Sequence, residues 1–146
     1  MWWNYKTIKS FADKEIKVGN DKMIRKHNNM EKYFSFEELK VWQDAMSLCK
    51  NVYSGLKDCS DFGLKDQMQR TAISIPSKVA EGYEHKDSKE TIHFLNIAKS
   101  LCGELLTLLY LATDLGEIKQ QNGNKLIAET LDLSVKIYRY TQSLSV

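Results

Sequence analysis

The sequence predicts an all-α protein, an antiparallel up-down four-helix bundle with an N-terminal extension. Three observations predict it. The 146 residues suit one domain that buries a single core without help from a disulfide or a structural metal. Seven glycines and one proline leave few stopping points, whereas a β-sandwich needs a turn every ~8–12 residues. Apolar residues recur at spacings of three and four in four long segments separated by short turn signals, and short connections force successive helices antiparallel. The expected division is an extension over 1–33 and a bundle over 34–146.

In the extension, Trp2, Tyr5, Ile8, Ala12 and Ile16 share one side of a helical wheel. Lys6, Lys9, Lys14 and Lys17 lie beside or opposite, and Gly19-Asn20-Asp21 ends the pattern. The spacing draws a short amphipathic basic helix; a leader ahead of a second start at Met30 accounts for it as well. Helix 1 is expected to begin at Ser35, with Glu38 completing a capping box. Its seam is Trp42, Ala45, Met46, Cys49, Val52, Tyr53 and Leu56, and DCSDFG (58–63) closes it.

Helix 2 is expected from about Leu64. Met68, Ala72, Ile75, Val79 and Tyr83 form one edge of its apolar arc, extended by Ile73, Pro76 and Ala80, with the polar stripe Arg70, Ser74, Ser77 and Glu81 opposite. Pro76 is the chain's only proline, and inside a helix it removes one hydrogen bond and crowds the preceding turn. Pro76 and Gly82 are therefore expected to bend the helix, with Ser74 or Ser77 satisfying the carbonyl that Pro76 frees. Arg70 and Glu81 lie about three turns apart, too far to pair within one chain.

Helix 3 begins after EHKDSKE, where Asp87 and Glu90 fit a second capping box, and runs to Leu115 before Gly116. Its second half, LCGELLTLLYLATDL, holds seven leucines, an apolar arc wider than the ~100° one core requires. Helix 4 starts around QQNGN with two apolar stripes: Ile127, Leu131, Val135 and Tyr138, then Leu126, Leu133, Ile137, Tyr140 and Leu144. One stripe closes the bundle. The other, with the excess on helix 3, predicts a subunit interface, because apolar patches of this extent are rare on monomers.

Net charge is +2, with +4 in residues 1–32 and −2 in the remainder. The bundle thus lacks the concentrated basic face usual for a nucleic-acid binder. Three cysteines, Cys49, Cys59 and Cys102, form an odd set without CxxC spacing, which indicates neither disulfides nor zinc. MWWNYKTIKS (1–10) has no apolar signal core, and no run reaches the ~20 apolar residues of a membrane span. The expected location is the cytoplasm, with no membrane association.

The frame FEELKVWQDAM (36–46), followed by DQMQRTAISIPSKVAEGYEHKDSKETIHFLNIAKSLCGEL (66–105), resembles the four-helix-bundle proteins encoded within intervening sequences of bacterial 23S ribosomal RNA genes. The likeness rests on Phe36, Leu39, Trp42, Arg70, Ala72, Ser74-Ile75-Pro76, Ala80-Glu81-Gly82, Phe94-Leu95, Ala98, Ser100, Leu101 and Glu104. It implies an up-down bundle that assembles as a ring-shaped homopentamer. It also implies a kinship with the accessory variability protein of diversity-generating retroelements, a basic bundle that binds nucleic acid and a reverse transcriptase. Lys78 stands where that family commonly has asparagine, and His85-Lys86 replaces an arginine usual after the Gly82 turn.

The chemistry expected is recognition, not catalysis. His27, His85 and His93 lie in separate contexts and assemble no nucleophilic set. Glu81 and His85, at i and i+4, have a spacing that suits two metal ligands, but the paired Glu-x-x-His motif of di-iron bundles is missing. No catalytic residue, metal, cofactor or small-molecule substrate is expected. For the stripe of Arg70, Ser74, Ser77 and Glu81, pairing between subunits or with helix 3 through Glu104, Ser100 and Asn96 is favoured over a solvated face and over ligand binding. RNA, DNA or an enzyme acting on them is the first partner class, chiefly by resemblance. The candidate phosphate contacts are Lys78, His85, Lys86 and Lys89, with Lys6, Lys9, Lys14 and Lys17 of the arm. The alternative is a protein-binding structural adaptor without nucleic-acid affinity.

Overall fold

The computed structural model describes residues 36–85 and 87–145; the 1–33 extension with its arm lysines, and Lys86, lie outside the described residues. A 3-10 turn (Phe36–Glu38) leads to α1 (Lys40–Gly55), α2 (Phe62–Glu84), α3 (Ser88–Asp114) and α4 (Gln120–Leu144). Each helix packs on its neighbours in the chain, and α4 returns to α1. The neighbours run antiparallel. On α1 and α4, Asn51 Nδ2 donates to Glu129 at 2.8 Å while Lys136 Nζ reaches Asp44 at 2.9 Å. On α2 and α3, Thr71 Oγ1 donates to Glu104 at 2.9 Å while Gly82 lies against Thr91 and Phe94. On α3 and α4, Thr113 meets Gly123 at one end and Lys99 lies over Tyr138 further along.

The core takes one side of every helix. It contains Ala45, Leu48, Val52 and Leu56 of α1 and the following turn, and Met68, Ala72, Ile75 and Val79 of α2. Leu95, Ala98, Cys102, Leu105 and Leu109 come from α3, and Leu126, Leu133 and Ile137 from α4. An 18-residue window of α3 reaches mean hydropathy 1.3, enough by length and composition alone to cross a membrane, and its innermost apolar positions form this core. Buried threonines satisfy their hydroxyls locally: Thr113, Thr130 and Thr141 each donate to the carbonyl four residues back, at 2.7–2.9 Å.

Several boundaries differ from the sequence reading. Helix α1 starts at Lys40 after an extended Leu39, with no side-chain cap; Ser35 lies outside the described residues. The reason is Phe36, whose ring meets Trp42 edge-on at 5.3 Å, so residues 36–38 fold against α1 as a separate turn. Leu48 is buried in the α1 seam while Tyr53 is 42% exposed, and on α2 Ile73 is 45% exposed. Helix α2 begins at Phe62, not Leu64, because Asp61 caps it by accepting from Leu64 N at 3.0 Å. Gly123, read as part of a turn, is a buried residue in the first turn of α4. At the end of α3, Gly116 adopts φ 76°. Its N–H donates to Thr113 O, and Glu117 N donates to Ala112 O, the paired bonds of a Schellman cap.

Glu117 then ties the two loops at this end together. Its Oε2 accepts from Ser60 N at 2.9 Å, Asp61 N at 3.1 Å and Ser60 Oγ at 3.0 Å. The backbone amides of Asp61 and Ser60, followed by the Ser60 hydroxyl, hold its carboxyl below the usual carboxylate range. A depressed folded pKa stabilises the protein above the unfolded value of about 4.3 and loses that contribution as pH falls through the folded value. Glu117→Gln is therefore expected to lower the denaturant midpoint at neutral pH and to reduce its fall between about pH 5 and pH 3. An unchanged acid-side profile would remove this role.

Candidate functional site

The polar stripe of α2 is satisfied within the chain. Arg70 Nε bonds Asp66 Oδ2 at 2.7 Å, one turn back, with both side chains largely exposed. Ser74 Oγ donates to Arg70 O and Ser77 Oγ to Ile73 O, each at 2.9 Å. Neither serine serves the Ala72 carbonyl that Pro76 leaves without an N–H, because a hydroxyl in a helix reaches back four residues from its own position. Pro76 is buried, and α2 continues through it from Phe62 to Glu84. Glu81 accepts from Lys78 Nζ at 2.6 Å. Glu104 of α3 takes Gln67 Nε2 at 2.8 Å and Thr71 Oγ1 at 2.9 Å, whereas Ser100 donates to Asn96 O on its own helix. Within the chain, then, Glu104 meets α2 through Gln67 and Thr71, not through Arg70.

At the α2–α3 end the structure assembles a group that the sequence reading saw only in part. Gly82 is buried; a Cβ there would lie 2.9 Å from Phe94 Cβ and 3.2 Å from Thr91 O. Glycine is what lets α3 cross this closely. Phe94 is thereby placed between the helices. His85 stacks on it at 4.9 Å and 15° between planes, and His93 meets it edge-on at 5.5 Å. Lys78 Nζ sits 5.4 Å from the same ring, within cation–π range. The candidate contacts Lys78 and His85 thus share one aromatic centre, and Lys89 stands in the adjoining first turn of α3, its N–H capped by Asp87 at 3.2 Å. Sequence reasoning missed Phe94 and His93 as site residues. The available signal was Gly82, since a buried glycine in a helix marks a place where another element comes close.

Among the described residues, several apolar side chains lie outside the core. On the α3–α4 side, Tyr110, Leu131, Val135 and Tyr138 are each about half exposed, and Lys99 Nζ lies 5.8 Å from the Tyr138 ring. On α1 and α2, Met46, Cys49, Tyr53 and Ile73 line a shallow depression of about 480 Å³. The cysteines offer no activated nucleophile: burial pushes the Cys102 thiol up to about 12 and raises Cys49 and Cys59 as well. Glu81 and His85 do not converge, since one is held by Lys78 and the other by Phe94.

A model of the family described as 23S rRNA-intervening sequence protein matches residues 37–144, about three quarters of the chain. No curated protein matches it. The matched span takes in all four helices and the cluster around Phe94.

Proposed function

Because the chain belongs to the 23S rRNA-intervening sequence protein family, we propose that it is a non-enzymatic binding or scaffold protein of the cytoplasm. It acts as a ring-shaped oligomer that engages RNA or DNA, or an enzyme acting on them such as a reverse transcriptase. The observation that carries this reading is the half-exposed apolar strip of Tyr110, Leu131, Val135 and Tyr138, a surface that an assembly would cover. A closed ring joins its subunits head to tail and so needs two different patches on each. The α3–α4 strip and the α1–α2 depression lie on different helix pairs and can serve as the two. Pentameric closure is the arrangement that the family resemblance implies.

Light scattering at micromolar concentration tests this directly. A mass near five times the 16.9 kDa chain is expected, and Val135→Glu with Tyr138→Glu is expected to give a monomer of unchanged helicity. A wild-type monomer would sink the ring. RNA should be retained at low salt and released at high salt, as phosphate contacts require. The adaptor reading, which has no nucleic-acid affinity, is favoured by one observation: residues 33–146 carry thirteen Lys/Arg against fifteen Asp/Glu. Failure to retain RNA at low salt would select it.

A further inference from the structure

Along α1 the side chains of Trp42, Met46, Cys49 and Tyr53 follow at spacings of four, three and four, so they stand in one row on the helix surface. At about 1.5 Å of rise per residue the row is roughly 17 Å long. Its last three members, with Ile73 of α2, line the depression of about 480 Å³, where Tyr53 and Ile73 are each nearly half exposed. The row starts where the chain enters the bundle, because the Phe36 ring meets Trp42 edge-on and the turn of residues 36–38 packs on both α1 and α2. The strip of Tyr110, Leu131, Val135 and Tyr138 lies on the other helix pair, away from that entry.

The entry is acidic. Glu37 and Glu38 stand in the turn. Burial first, and then Tyr140, Glu38 and Glu84, raise the Tyr83 phenol above its usual range, which puts carboxylates from the turn and from the end of α2 about one ring. Glu37 Oε2 is buried with no hydrogen-bond partner among the described residues, a state that calls for a donor. The surface therefore suits a segment with an apolar row of similar length and a basic remainder. Trp2, Tyr5, Ile8, Ala12 and Ile16 share one side of a wheel over about 21 Å of helix. Residues 1–32 carry +4 against −2 for the rest of the chain. The connection over 17–35 can span roughly 60 Å when extended, ample for the segment to turn back along α1.

We propose that in the unassembled chain residues 2–16 lie as an amphipathic helix in the α1–α2 depression, with their apolar side on Met46, Cys49, Tyr53 and Ile73, while basic residues of the 17–35 connection meet the acidic entry. A helix of about 15 residues is marginal alone, and this contact is what holds it. The same depression is one of the two patches assigned to ring closure, so the segment and a neighbouring subunit exclude each other there and assembly displaces the segment. The displacement rests on the ring reading above; the docking does not.

Cys49 is the reporter, in the full chain carrying Val135→Glu and Tyr138→Glu so that no neighbour contributes. Its reaction with a maleimide is expected to be about tenfold slower than in the same chain with Tyr5→Asp and Ile8→Asp added, the protection given by a cover that opens locally. Cys59 and Cys102 are buried, and their unchanged slow reaction shows that the bundle is intact in both. A second arm locates the segment. From Ala12→Cys, on the apolar side, a short bismaleimide should reach Cys49 within one chain. From Lys14→Cys, on the opposite side of the wheel, it should not, because a helix about 10 Å across intervenes. Equal Cys49 rates in the two chains, or equal linking from positions 12 and 14, would overturn the proposal. Linking only between chains would do the same, making a second copy's segment the occupant. Without the two α4 substitutions, a link as strong in a ring as in the monomer would overturn the displacement and leave the docking standing, whereas a monomeric wild type removes the ring reading alone.

Discussion

Leu133→Ala is expected to destabilise the bundle by about 2–5 kcal/mol, the range for removing a leucine from a core that relaxes only in part. Leu131→Ala, two residues away on α4, is expected to change the stability of the single chain by no more than about 0.5 kcal/mol. Both are leucines on one helix with the same propensity, so the difference isolates burial. Leu133 is 1% exposed, packed with Ile137 and Leu126, while Leu131 is 47% exposed. Chemical denaturation of the two variants measures the contrast. Equal midpoints would mean that the inward stripe of α4 is wrongly assigned. The pair also tests the proposed assembly: if the half-exposed strip is its interface, Leu131→Ala should leave the fold intact while weakening the association at low concentration. Leu133→Ala should lower the unfolding midpoint whether or not the chains associate.

That contrast also shows where sequence was sufficient and where it was not. The spacing of Met68, Ala72, Ile75 and Val79 fixes the inner side of α2, and the structure buries all four. On α4 two apolar stripes run side by side, and periodicity alone cannot say which faces inward, since the choice depends on where α3 and α1 approach. The register is set by contacts distant in sequence. Asp44 is held by Lys40 and Lys136, and the two ammonium groups together outweigh burial to keep its carboxyl low.

The candidate site was less legible for the same reason. Arg70, Ser74, Ser77 and Glu81 were visible as a stripe, but their partners are local, and a stripe does not disclose that Asp66 lies one turn from Arg70 in the right rotamer. His85, His93 and Phe94 sit on two helices and become neighbours only because Gly82 admits Phe94. No spacing rule spans the turn between them. Spacing alone places Tyr53 and Ile73 inward because each adjoins a buried position, Val52 and Ala72, a difference of about one position on a wheel that advances roughly 100° per residue.

Gly123→Ala is expected to destabilise the protein by about 1–3 kcal/mol, the usual range for overpacking, although alanine is the better helix former by about 1 kcal/mol. The two effects oppose each other, and distance decides between them. A Cβ at position 123 would lie 2.2 Å from Thr113 Oγ1, 2.9 Å from its Cγ2 and 3.1 Å from its Cβ. Rotating Thr113 moves the first two atoms but not the third. It would also break the 2.7 Å bond from the Thr113 hydroxyl to Leu109 O, leaving a buried donor in search of a partner. The first turn of α4 must therefore move away from α3, next to the loop that Glu117 fastens. A double variant distinguishes this account from a general intolerance of the site. Thr113→Ala removes both crowding side-chain atoms, so Gly123→Ala should cost less in that background. The cycle of four denaturation midpoints reads the coupling, and strictly additive effects would show that Thr113 is not what Gly123 accommodates.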